Sequence, residues 1–113
     1  MKKEYRIRKN WEFQAIIEAK NQVLNRELIL YFKKADSFKI GISIPKKFAN
    51  AVQRNYLRRQ VRSILLKLNV FEFAYHFVII VRKQFLELDF NTKLESVKKL
   101  FGKVEKYGKS TSL

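Results

Sequence analysis

Residues 50–68, NAVQRNYLRRQVRSILLKL, constrain the fold more than any other stretch of the chain. Within them Leu57, Val61, Ile64, Leu65 and Leu68 recur at i, i+4, i+7, i+8 and i+11, the spacing of one face of an α-helix. Asn50 stands where such a helix needs an N-cap. At about 100° per residue, Arg54, Arg58, Arg62, Asn55 and Arg59 follow one another over an arc of about 140° beside the apolar stripe. One side of this helix belongs in a core, and the side next to it is cationic.

A charged face commonly does no more than solvate a core helix, supported by ion pairs one turn apart. That explanation fails here, because no Asp or Glu occurs between Lys39 and Phe71. The arginines need a polyanion from outside the chain. Guanidinium groups hold phosphate oxygens in a two-pronged fork that lysine cannot form, which points to nucleic acid. The balance of the whole chain agrees: 25 Lys+Arg against 10 Asp+Glu leave a formal charge of +15, a self-repulsion that a neutralising partner would relieve.

With 47% hydrophobic residues the chain is expected to fold, and 113 residues suit a single domain, residues 1–113. A membrane is the rival polyanionic surface, but apolar runs such as residues 77–81 are far too short to span one. The opening Met-Lys-Lys-Glu lacks the apolar centre of a signal peptide, so the cytoplasm is the expected compartment. The absence of cysteine fits a reducing compartment and excludes disulfides, thiolate nucleophiles and Cys-based zinc sites.

Taken in order, residues 1–9 read as an extended basic arm. Asn10 as N-cap, Glu12 in the first turn and apolar Trp11, Phe13, Ile16, Ile17 and Ala19 predict a short helix reaching about Lys20. Residues 26–34 alternate, with Leu28, Leu30 and Phe32 opposite Ile29, Tyr31 and Lys33. After a turn at Ala35-Asp36-Ser37 the alternation resumes, with Ile40, Ile42 and Ile44 opposite Lys39, Gly41 and Ser43, and the two strands are expected to pair as a hairpin. Small residues at Gly41 and Ser43 leave one face open, which suits either ligand access to the backbone or a closely packed helix.

Pro45 ends that strand and Lys46-Lys47 lead into the central helix. Residues 77–81, FVIIV, predict a buried strand, closed by Arg82-Lys83 at a sheet edge or cleft rim. Thr92 with Glu95 predicts a capping box for a last helix, whose stripe is Leu94, Val97, Leu100, Phe101 and Val104. Residues 108–113 are expected to be a flexible tail. The sum is an α+β two-layer sandwich, a small sheet with helices against it.

Several of these stretches, in this order, resemble the bacterial ribonuclease P protein family: IPKKFANAVQRNYLRRQVR at 44–62, RIRKN at 6–10, Phe13, LILY at 28–31, GIS at 41–43 and VRK at 81–83. The resemblance implies the order αβββαβα, with a short extra strand near Val23-Leu24. It also implies a left-handed crossover from the third strand through the central helix to the fourth, against the usual rule, a fold shared with a domain of a small-subunit ribosomal protein.

In function it implies the protein subunit of ribonuclease P, which binds the catalytic RNA and the 5′ leader of precursor tRNA to promote endonucleolytic 5′ maturation. Lys46, Lys47, Arg54, Asn55, Arg58, Arg59 and Arg62 would dock on the RNA subunit, and magnesium would be held mainly by RNA phosphates. Phe13, Ile17, Tyr31 and Arg82 would line the leader cleft, Ile17 replacing an aromatic by an apolar contact. Periodicity by itself puts Phe13 in the core. Tyr56 stands where the family's second motif arginine is usual, so the basic arc loses a charge there.

A nuclease acting alone needs gathered carboxylates for magnesium or a histidine pair for acid and base work. His76 is the only histidine, expected at a sheet edge or facing a partner. Glu87 and Asp89 precede a helix and are expected to serve its N-terminus. The 3 glycines form no phosphate-binding loop. No catalytic or metal-ligating side chain is assigned, and no obligate protein partner is inferred. Two other readings stay open: a structural RNA-binding protein of the small-ribosomal-protein kind, without a role in cleavage, and a nucleoid-type DNA-binding protein.

Overall fold

The elements follow the order α1 (Asn10–Glu18), β1 (Gln22–Leu24), β2 (Leu28–Lys34), β3 (Lys39–Ser43), α2 (Ala51–Leu68), β4 (Tyr75–Val81) and α3 (Phe90–Thr111). The computed structural model describes residues 2–111, with side chains through Tyr107. This is the αβββαβα order, and the short strand near Val23 is present as β1.

The four strands form one sheet in the order β1-β2-β4-β3. β4 runs antiparallel to β2 and parallel to β3, so Ile79 lies between Leu30 and Ile42. The expected hairpin is therefore corrected. β2 and β3 are consecutive in the chain but do not pair, because β4 occupies the place between them. Alternation in residues 28–44 sets which face each side chain takes, whereas the strand apolar on both faces gains most by lying in the middle. The parallel pairing of β3 with β4 in turn requires a long crossover, and α2 supplies it.

On one sheet face Leu28, Leu30, Phe32, Ile40, Phe77, Ile79 and Val81 pack against Leu57, Val61, Ile64 and Leu65 of α2 and Val97, Leu100, Phe101 and Val104 of α3. Both predicted helical stripes thus face the core, with Leu68 and Leu94 half-buried against it. Burying a Leu, Ile or Val side chain contributes about 1.5–3 kcal/mol, so four such residues hold α2 to the sheet and fix the direction in which its arginines point. The opposite face carries α1, whose Ile16 packs on Val78 with Ile7, while Phe13, Tyr31 and Ile80 lie around them half-buried.

Caps explain where the helices begin. Asn50 Oδ1 accepts from the Gln53 amide at 2.9 Å and Gln53 Oε1 accepts from the Asn50 amide at 3.0 Å, a complete capping box. Asn69, at φ 51°, ends α2 in the left-handed region that Asn tolerates.

Elsewhere the expected boundaries shift. Asn10 is the first helical residue of α1, Lys9 precedes it in extended conformation, and the helix stops at Glu18, short of Lys20 at φ 62°. Thr92 does not cap α3: the helix begins at Phe90, and Asp89 Oδ1 accepts from the Thr92 amide at 2.8 Å. A carboxylate at the positive end of a helix dipole is the better acceptor. Hydrogen bonds from Thr92 in turn hold the Asp89 carboxyl below its ordinary range.

Gly108 does not end α3, whose backbone continues through Thr111; residues 112 and 113 of the expected tail lie outside the described residues. The basic arm is tied down, with the Ile7 amide donating to the Ile40 carbonyl at 3.1 Å and Arg6 bridging alongside β3. His76 is not at a sheet edge. It sits half-buried in the central strand, between Lys33 and Lys39. Arg82 likewise follows the end of a central strand and is exposed.

Candidate nucleic-acid interface

Because α2 is one uninterrupted helix, its arginine arc stands beside the buried stripe. Arg54 Nη1 donates to the Ala49 carbonyl at 3.2 Å, bracing the start of the helix, and Arg58 Nη1 donates to Asn55 Oδ1 at 3.2 Å. Arg59 is exposed, and Arg62 is half-buried with no hydrogen-bond partner for its buried Nε. Burial first, then Arg6 and Arg58, pull the Arg62 guanidinium below its ordinary pKa. Three cations are crowded together.

They share a groove. A cavity of about 290 Å³ lies between the arm, α1, the outer side of β3 and α2, walled by Arg6, Arg8, Arg58 and Arg62, with Phe13 over Gly41. The sequence reading separated docking residues on α2 from leader residues on α1. The fold brings Phe13, Arg58 and Arg62 to one place and adds Arg6 and Arg8, which periodicity does not reveal because the arm has none.

Phe13 is neither plain core nor free ring. It is half-buried against Ile7, Ile16 and Val78 while lining the groove, and its ring rests on Gly41. Of the two readings of that glycine, close packing against a helix is realised by the Phe13 ring, and Gly41 also borders the groove. Tyr31, Val78 and Gly41 are cross-strand partners in one row on this face, which places Tyr31 beside the same cluster. Ile17, one turn after Phe13, is half-buried.

Strand alternation carries Arg82 to the face of Val78 and Ile80, where its Nη1 donates to the Asn25 carbonyl at 3.3 Å. Asn25 is itself held, its Nδ2 donating to Ser96 Oγ at 3.0 Å. Lys46 and Lys47 lie exposed in a single 3-10 turn before α2, outside the groove. Cations near a helix N-terminus are disfavoured by the dipole, so an anionic partner would relieve them.

His76 is held below its ordinary pKa by burial and then by Lys39, opposed by Glu12; Lys33 adds to the lowering and Asp36 opposes it. Among the described residues no three His, Asp or Glu side chains gather in a group able to hold a metal ion. No helix among them is long and apolar enough to cross a membrane.

A family model described as Ribonuclease P matches residues 1–105. The chain belongs to the ribonuclease P protein family. The ribonuclease P protein component of Mycoplasmopsis synoviae is 48% identical over 101 residues, covering 89% of this chain and 90% of that one. The component from Mycoplasma mobile is 51% identical over 104 residues, covering 92% and 93%. Among solved structures, the Staphylococcus aureus ribonuclease P protein superposes with a TM-score of 0.81 at 29% identity, covering 88% of this chain and 94% of that one. The Thermotoga maritima ribonuclease P protein gives 0.75 at 30% identity, covering 84% and 93%. As a family member the chain takes part in ribonuclease P, the endoribonuclease of tRNA 5′ maturation, and associates with its RNA.

Proposed function

We propose that α2 docks the chain on the catalytic RNA, that the α1 face of the sheet receives the 5′ leader of precursor tRNA, and that the RNA carries out the hydrolysis. The observation that supports this best is the shared groove, where Phe13 offers a ring and Arg58, Arg62, Arg6 and Arg8 offer cations around one floor. An unpaired strand needs that combination: bases stack on the aromatic while guanidinium groups meet phosphates. Ile17 and Tyr31 extend the surface, and Arg82, braced by Asn25, meets the strand farther along.

Arg59 and Asn55 at one end of the arc and Arg54 at the other lie outside the groove lining and meet the RNA subunit in this reading, together with Lys46 and Lys47; Arg58 and Arg62 border both. In this reading magnesium is held mainly by RNA phosphates, in keeping with the lack, among the described residues, of any group of three His, Asp or Glu side chains able to hold a metal ion. What the chain supplies is charge and position, lowering repulsion between two polyanions in a reaction located in the cytoplasm.

The test compares precursor with mature tRNA. In the assembled particle, Phe13→Ala should weaken precursor binding and leave mature tRNA unaffected, because only the precursor has leader bases to stack. Equal weakening of both would defeat the leader assignment.

A further inference from the structure

The exposed surface of α2 continues past the arginines. Measured from Arg54, Arg59 lies near 140°, Val52 near 160° and Tyr56 near 200°, at about 100° per residue. Val52 is 78% exposed and Tyr56 61% exposed, an apolar pair one turn apart at the edge of the cationic arc.

An exposed tyrosine ordinarily samples several rotamers. This one has a hydrogen-bond partner that favours one of them. Gln60 Nε2 donates to Tyr56 Oη at 3.2 Å, and Gln60 Oε1 accepts from Lys93 Nζ at 2.7 Å. Lys93 is buried on α3 with its ammonium 5.4 Å from the Phe85 ring centre, and Phe85 is fully buried. A chain of contacts from the core thus sets the position of a ring on the surface.

We propose that Tyr56, oriented through Gln60 and Lys93 and flanked by Val52 and Arg59, is a stacking platform for an unpaired base of the RNA subunit. This rests on the docking of α2 to that RNA. The surroundings choose the occupant: Arg59 adjoins the platform one turn on, Lys46 and Lys47 precede the helix, and no acid occurs between Lys39 and Phe71. A second copy of the chain would bring like charge to like charge. RNA brings phosphates for the arginines and bases for the ring. A ring already held in place loses little freedom on binding, so most of the stacking energy appears as affinity.

Stacking and charge leave different marks. Each phosphate neutralised steepens the fall of log K with log salt by about 0.9, whereas a stacked base changes affinity and leaves that slope alone. The experiment measures binding of the full chain to ribonuclease P RNA across a salt series, with mature tRNA as comparison.

Stacking of about 1–3 kcal/mol predicts that Tyr56→Ala weakens binding about 5- to 150-fold at unchanged slope. Tyr56→Phe, which keeps the ring, should lose far less; Gln60→Ala, which frees it, should fall between. Arg59→Ala should flatten the slope. Tyr56→Ala binding within twofold of the parent, or a loss accompanied by a changed slope, overturns the platform while leaving the docking role intact. If the parent chain binds the RNA no better than mature tRNA, the docking role falls and the platform with it.

Discussion

The ring of Phe13 rests on the backbone of Gly41, so closely that a methyl group added there would stand 2.6 Å from Phe13 Cε1. Among the described residues no glycine has positive φ, so Gly41→Ala meets no backbone strain and acts through the ring alone. It should push Phe13 off its seat and reshape the groove that Arg58 and Arg62 wall. The expected outcome is a loss of precursor binding in the particle of about 1–3 kcal/mol, the size of one stacked base, with mature tRNA unaffected. Fluorescence binding assays on both tRNAs check it, with circular dichroism to show a retained fold. Undiminished precursor binding would show that the ring's position is immaterial.

Arg62 should reveal opposite effects on stability and on binding. Its buried Nε lacks a partner and its charge is crowded by Arg6 and Arg58, so Arg62→Met should raise the melting temperature of the free chain. The same change should weaken RNA binding and flatten the salt dependence by about 0.9. Combined Arg58→Ala and Arg62→Ala should flatten it by about twice that. Paired thermal melts and salt titrations decide the matter, and a lowered melting temperature would mean that Arg62 is held by the fold and not reserved for a ligand.

His76 gives a pH dependence with a definite sign. Its folded pKa lies below the ordinary value of 6.5, chiefly through burial and then Lys39, so the unfolded chain binds more protons over that interval. The stability it contributes is present above about pH 6.5 and is lost as pH falls toward the folded value. His76→Gln should remove this part of the slope in melts between about pH 7.5 and 5.5, a window above most carboxylate titration. An identical slope in the variant would contradict the sign derived from its surroundings.

What could be read from residues alone was what depends on local period. The stripes of α2 and α3, the arginine arc and the apolar strand β4 all follow from spacings within a dozen residues. Strand neighbours do not: alternation in residues 28–44 fixes faces, and β4 enters between β2 and β3 only because its burial on both faces outweighs the short connection. Caps failed where two acceptors competed, Asp89 three residues before Thr92. Of the site, the arc was legible and the family resemblance drew attention to Phe13, Tyr31 and Arg82. The meeting of Phe13 with Arg58, and of Tyr56 through Gln60 with Lys93, joins segments far apart in the chain and left no periodic trace.

The most direct test of the account is cleavage of precursor tRNA by the chain alone, by ribonuclease P RNA alone and by both, at low and high magnesium. Among the described residues no three His, Asp or Glu side chains gather in a group able to hold a metal ion, and the formal charge of +15 is suited to offsetting repulsion between RNA and substrate. The account predicts no cleavage by rigorously RNA-free protein, and specific leader removal by the mixture at magnesium concentrations where RNA alone is nearly inactive. Specific cleavage by the RNA-free chain would contradict the assignment of hydrolysis to RNA, and a mixture no more active than RNA alone would contradict the role of the chain itself.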